Sequence, residues 1–100
     1  MKPVTEIREL LNYAHWETKA ADMYAREAVK HKAEYPSLAE CYARMAERRL
    51  EDADKLCQHV STLMEKSQHP EADHAVWEWE RDKRMDMTRD VRTMLDLYRR

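Results

Sequence analysis

The chain has 100 residues and not one glycine. That absence removes Gly-rich phosphate loops, dinucleotide-binding fingerprints and glycine-dependent hairpin turns, each of which needs a residue tolerant of positive φ. Most nucleotide-dependent enzymes go with them. β-Branched residues are scarce as well: one isoleucine and five valines, with no alternating run bounded by turn residues, leave no strand to predict. Excess positive charge is missing too. Eighteen Lys and Arg against twenty Asp and Glu give a net charge of −2, so no global field would hold nucleic acid. No apolar run approaches the roughly 20 residues that cross a bilayer, and we expect no signal peptide at the start of the chain. We therefore expect a cytoplasmic protein with no membrane contact. The only cysteines, Cys41 and Cys57, fall sixteen residues apart on one expected helix. At 1.5 Å per residue they are about 24 Å apart, beyond disulfide reach. Both are expected as small buried hydrophobes in a reducing compartment.

What is present points to helices. Apolar residues make up 43% and charged residues 38%, which fits one soluble helical domain over residues 1–100. Pro3, Pro36 and Pro70 divide the chain into thirds, and proline breaks a helix interior but suits its first turn. The expected helices are therefore about 4–34, 37–66 and 70–98. Thr5 is the candidate N-cap of the first, and Ser37-Leu38-Ala39-Glu40 reads as a capping box opening the second. Arg99 and Arg100 place cations at the dipole's negative end in the third. The connections are only a few residues long, so consecutive helices should run antiparallel. The predicted fold class is all-α, an antiparallel three-helix bundle.

Helical spacing draws one apolar stripe on each segment. The first reads Ile7, Leu10, Ala14, Glu17, Ala21, Tyr24, Ala28, His31; the second reads Leu38, Tyr42, Met45, Arg49, Asp52, Leu56, His59, Leu63. The third reads Val76, Trp79, Lys83, Met87, Val91, Met94, Tyr98. Charge interrupts each near its middle. Folding the first two segments about Tyr35-Pro36 sets Glu17 level with Asp54 and near Asp52, with Arg49 somewhat further off. Folding the next two about Gln68 brings Asp52 to Arg84, near Asp82, Lys83 and Asp86. We thus expect a buried charge layer of Glu17, Arg49, Asp52, Asp82, Lys83 and Asp86. Such a layer must be paired, metal-bound or wet, because an unpartnered buried charge costs several kcal/mol.

The run Ala39-Glu40-Cys41-Tyr42 through Leu56 resembles the second helix of small ferritin-like proteins encoded in bacterial and phage genomes. Glu17 with Asp22-Met23-Tyr24, Trp77-Glu78-Trp79-Glu80 and the terminal Met94-Leu95-x-x-Tyr98 resemble the same family. The likeness covers roughly Glu17 to Tyr98. It implies a ferritin-like hairpin plus a third helix around a carboxylate metal site; the narrow core of so small a bundle leads us to expect assembly into a helical oligomer. The departures fall on the ligands. The family's Glu-x-x-His lands on Arg49-Leu50-Glu51-Asp52, a following histidine is Cys57, and a third-helix histidine is Arg81. Glu17 alone keeps a ligand position. A guanidinium cannot ligate a metal and puts a positive charge where the dication would sit.

The expected function is therefore that of a non-enzymatic interaction or structural protein without a cofactor, whose metal site has become a salt-bridge layer. The alternative is a metal-binding protein holding Fe or Mn through Glu17, Asp52, Asp82 and Asp86, since such oxygen donors suit hard cations. The one true Glu-x-x-His, Glu71-Ala72-Asp73-His74, reads as an exposed first helical turn, and His31 and His59 read as partly wet histidines near helix ends. No Ser-His-Asp or Cys-His arrangement is expected. Tyr13, Trp16, Met23 and Trp77 would be large exposed side chains on a monomer, and we take them as interface candidates for a homodimer or higher oligomer. Trp77 and Trp79 are two apart and cannot share a face, so one should be core. A third reading is an adaptor whose basic C-terminal end meets an acidic protein or nucleic acid. There, however, seven cations alternate with four Asp over twenty residues, as on a solvated helix face.

Overall fold

The computed structural model describes residues 3–66 and 70–100, with all their side chains except those of residues 3–5, 70 and 73. Ser67, Gln68 and His69, where the second reversal was placed, lie outside the described residues. Three helices fill the rest: α1 Pro3–His31, α2 Pro36–Glu65 and α3 Pro70–Arg99. No strand occurs among the described residues. Each helix starts on a proline, because the ring presets φ and its missing N–H would be unbonded in the first turn anyway. This moves two starts earlier and corrects two caps. Thr5 lies inside α1, two residues past its start. The cap of α2 is Tyr35 at φ −133°, with no side-chain hydrogen bond, so Ser37 and Glu40 form no capping box.

The reversal between α1 and α2 shows the missing glycine at work. A left-handed residue, usually glycine, commonly ends a helix, yet no described residue has positive φ. Instead residues 32–34 turn with negative φ, and the Tyr35 N–H donates to the His31 carbonyl at 2.8 Å. Pro36 then starts α2 at once. The midpoint of the connection is thus Ala33–Glu34, two residues before the expected fold point, which moves every cross-helix partner by about one turn.

The buried residues of α1 are Ile7, Leu11, Ala14, Thr18, Ala21, Ala25 and Ala28, a 4-3-4-3-4-3 spacing. Those of α2 repeat it: Ala39, Ala43, Ala46, Leu50, Ala53, Cys57 and Val60. This is a heptad seam on both helices, filled largely by alanine. Ile7 and Leu11 pack with Val60, Ala14 with Ala53 and Cys57, and Ala21, Ala25 and Ala28 with Ala43 and Ala46. Small side chains let the backbones approach closely, so α1 touches α2 most, α3 less, and α2 and α3 touch least. Among the described side chains of α3 only Val91 and Leu95 are buried, joining the alanine cluster, while Trp77 covers the other end. The bundle measures 53 × 21 × 14 Å, and its 15.7 Å radius of gyration exceeds the about 13 Å of a compact 100-residue domain. It is a flattened rod.

The expected α2 stripe is wrong by one residue throughout. Leu38, Arg49, Asp52 and His59 were placed inward, whereas Ala39, Leu50, Ala53 and Val60 are. A one-residue slip is a rotation of about 100°. It arose because the larger side chains drew the stripe, although the seam selects small ones. Cys57 is buried as expected, but Cys41 is exposed, on the face of α2 opposite Ala39 and Ala43. Trp77 packs against both apolar clusters at its end, and Trp79 is 63% exposed, so the interface assignment of Trp77 is corrected. No helix among the described residues is long and apolar enough to cross a membrane.

Candidate functional site

The expected charge layer survives as one cross-helix pair. Arg49 Nη1 donates to both Glu17 carboxylate oxygens, at 3.0 and 3.1 Å. The earlier reversal explains the meeting, since it brings Glu17 down α2 by a turn, from Asp54 to Arg49. Both residues sit on the heptad flank rather than in the seam, at 25% and 40% side-chain exposure. That position lets the carboxylate and guanidinium keep water on one side. The Glu17 hydrogen bond and charge, aided by Tyr24 and opposed by desolvation, hold the Arg49 guanidinium above its ordinary pKa. With this much solvent the pair contributes about 1 kcal/mol.

The other four expected members are exposed and do not join it. Asp52 points outward because Ala53 takes the seam. Asp82 lies 3.7 Å from Arg81 and Asp86 3.0 Å from Arg89. Lys83 pairs with Glu80 at 3.4 Å and lies 3.9 Å from the Trp79 ring centroid. The buried charge layer of Glu17, Arg49, Asp52, Asp82, Lys83 and Asp86 is therefore not assembled. Nor do Glu17, Asp52, Asp82 and Asp86 converge as a ligand set. Among the described residues no three His, Cys, Asp or Glu side chains come together, and both Glu17 oxygens already accept from Arg49. Glu71 and His74 are exposed, and His74 turns to Glu78 at 3.0 Å within its own helix.

A second polar cluster lies where the residues one step away were expected. Spacing back from Leu95 and Val91 gives Thr88, Arg84, Arg81 and Trp77, the same 4-3 pattern as α1 and α2. Arg84 is only 15% exposed, and its Nη1 donates to Asp54 at 3.3 Å. Arg81 Nε, Arg84 Nε and Thr88 Oγ1 are buried without a protein partner. Burial pushes the neighbouring Cys57 thiol up, with Arg84 opposing and Asp54 assisting. Reading the heptad backward from the apolar end of α3 would have found these residues.

The third feature is an aromatic tier near the α1–α2 turn. Tyr24 stacks on Tyr42 at 6.1 Å and Tyr42 on His31 at 5.9 Å, while His31 Nε2 is 3.0 Å from Glu27. On the opposite flank of α2, Glu40, Glu47 and Asp54 recur every seventh residue and face α3. They meet Tyr98, Arg99 and Arg84 in turn. The Tyr98 hydroxyl donates to Glu40 at 2.6 Å. That bond lowers the Glu40 pKa, with Arg44 and Arg99 assisting against desolvation, and raises that of Tyr98. Arg99 pairs with Glu47 and Arg89 with Asp86, so these two cations of the C-terminal end are already neutralised.

Comparison with protein-family models, curated proteins and solved structures finds no match to this chain. The ferritin-like resemblance rests on the residues quoted for it above.

Proposed function

We propose that the chain is a non-enzymatic, cytoplasmic helical-bundle protein that works through self-association or contact with another protein, its helices running up, down and up as an antiparallel bundle. The contacts Ile7–Val60, Glu17–Arg49 and Tyr24–Tyr42 between α1 and α2, and Arg84–Asp54 and Tyr98–Glu40 between α3 and α2, support that arrangement. We read it as a ferritin-like hairpin plus a third helix in which an ion pair has taken the place of a metal. The observation that carries this reading is Arg49 on Glu17. A guanidinium there supplies the positive charge that a dication would, while offering no lone pair.

Metal analysis of protein purified without chelator tests it. We expect Fe and Mn far below stoichiometry, and unchanged on Glu17→Ala. Near-stoichiometric metal that disappears on Glu17→Ala would overturn the reading in favour of a metal-binding protein.

A further inference from the structure

α1 carries a second heptad stripe, on the side away from its buried seam. Tyr13, Trp16, Ala20 and Met23 follow a 3-4-3 spacing, and Tyr13, Trp16 and Met23 are 56%, 57% and 51% exposed. Scattered exposed apolar side chains are ordinary on a protein surface; a run in heptad register is the pattern of a helix seam. We propose that this stripe packs against the same stripe of a second copy, antiparallel, about a two-fold axis at the level of residue 18 on the outer face of α1. The proposal rests on the reading of the protein as one that self-associates, and names the partner and the surface.

The stripe is complementary to itself in that orientation only. Counting outward from residue 18, Trp16 meets the partner's Ala20, a large ring over the smallest side chain of the stripe, and Tyr13 meets the partner's Met23. Each layer occurs twice by symmetry, as an isologous contact requires. Of the two charged layers beyond the apolar ones, the outer agrees and the inner sets like charges level. Glu6 comes level with the partner's Lys30, and Glu9 lies next to the partner's Arg26. Glu9 is also level with the partner's Glu27, whose carboxylate is already engaged by His31 in its own helix. A parallel pairing would set Trp16 on Trp16, Glu6 on Glu6 and Lys30 on Lys30. The Lys19 ammonium, 5.1 Å from the Trp16 centroid, lies at the edge of the stripe, where an interface keeps its polar rim. An unrelated partner would have no reason to match large with small and acid with base about one point of this helix.

Sedimentation equilibrium over a range of concentrations reads the association. We expect a wild-type dimer, a dissociation constant raised at least about thirtyfold by Trp16→Glu, and no change from Met85→Glu, an exposed methionine on α3. Circular dichroism of the variants checks that the helices are kept. Orientation is read by mixing two proteins in a Cys41→Ser background, one with Tyr13→Cys and one with Met23→Cys. On oxidation the mixture should give a cross-linked heterodimer, and each protein alone should give little. A dimer unaffected by Trp16→Glu overturns the seam while self-association stands. Cross-linking of each protein alone overturns the antiparallel register. A monomer at every concentration overturns both the seam and self-association.

Discussion

α1 and α2 meet through alanine, and α3 meets them through arginine. The α1–α2 seam is apolar apart from Thr18, whose hydroxyl is satisfied by the Ala14 carbonyl at 2.8 Å. The α3 seam has apolar ends, Trp77 at one and Val91 with Leu95 at the other, around a middle of Arg81, Arg84 and Thr88. One sequence thus uses the same heptad spacing for two kinds of contact. Alanine contributes little apolar area per residue, and its stabilisation comes from letting two backbones approach along their whole length. Arginine contributes stem packing and ion pairs, and leaves donors unbonded. The first kind of contact should tolerate no added volume. The second should improve when polarity is removed.

Ala46→Leu should therefore be the most damaging single change. It puts three extra heavy atoms between backbones that cannot separate without losing the whole seam, and should cost about 3 kcal/mol. In a domain this size that lowers the Tm by about 15 °C, measurable by circular dichroism. A small effect would mean that the α1–α2 contact is looser than its burial implies. Val91→Ala should cost about 2 kcal/mol, the transfer energy of two methyl groups plus the cavity left behind. Because Val91 is one of only two buried side chains among those described in α3, the loss should also raise hydrogen exchange in that helix more than in α1 or α2.

Substitutions at the polar positions should act more weakly. Arg49→Glu removes the pair with Glu17 and sets two carboxylates together, yet both sites reach water, so we expect a cost of about 1 kcal/mol that shrinks with added salt. A salt-independent loss of several kcal/mol would place the pair in a far drier setting than its exposure indicates. Thr88→Val should have the opposite sign. It deletes a buried hydroxyl that has no partner and keeps the shape, so stability should rise by about 0.5–1 kcal/mol. The same exchange at Thr18, whose hydroxyl is bonded, should not stabilise. A destabilising Thr88→Val would show that the hydroxyl has a bond partner, such as water, in solution.

The contrast also explains which parts of the structure could be read from residues alone. Three prolines marked the three helices because proline's covalent geometry acts locally, whatever the tertiary context. Facing was harder. Leu38, Tyr42, Met45 and Leu56 made an apolar stripe on α2, but in a close-packed pair the inward positions go to whatever is small enough, here Ala39, Ala43, Ala46 and Ala53. Hydrophobicity ranks leucine above alanine, whereas close approach reverses the order. The polar middle of the bundle was legible in outline, since charge interrupts all three segments there. Its membership depended on facing and on the turn, so Glu17 and Arg49 were kept, while Asp52, Asp82, Lys83 and Asp86 gave way to Arg81 and Arg84. The Tyr98–Glu40 bond joins residues 58 apart and could not be found before the register of α3 on α2 was known.

That bond provides the smallest effect and the one most specific to how α3 is held. The Tyr98 hydroxyl stabilises the ionised form of Glu40, so the Glu40 pKa lies below its ordinary 4.5. Its contribution is complete above 4.5 and is lost as pH falls through the lowered value. Tyr98 must stay protonated to donate, and its pKa lies above the ordinary 10.0. Its contribution is complete below 10.0 and is lost as pH rises through the raised value. The C-terminal end of α3 should therefore loosen at both extremes of pH and not between them. Hydrogen exchange of the amides from Val91 to Arg99 should show both limbs in the wild type, after correction for the intrinsic pH dependence of exchange. Tyr98→Phe keeps the ring among Lys32 and Arg99 and removes only the donor, so it should abolish both limbs and lower the mid-range stability by the small amount that the wild type loses at either extreme. If the acid limb persisted in Tyr98→Phe, another carboxylate facing α3, such as Glu47 beside Arg99, would be its source.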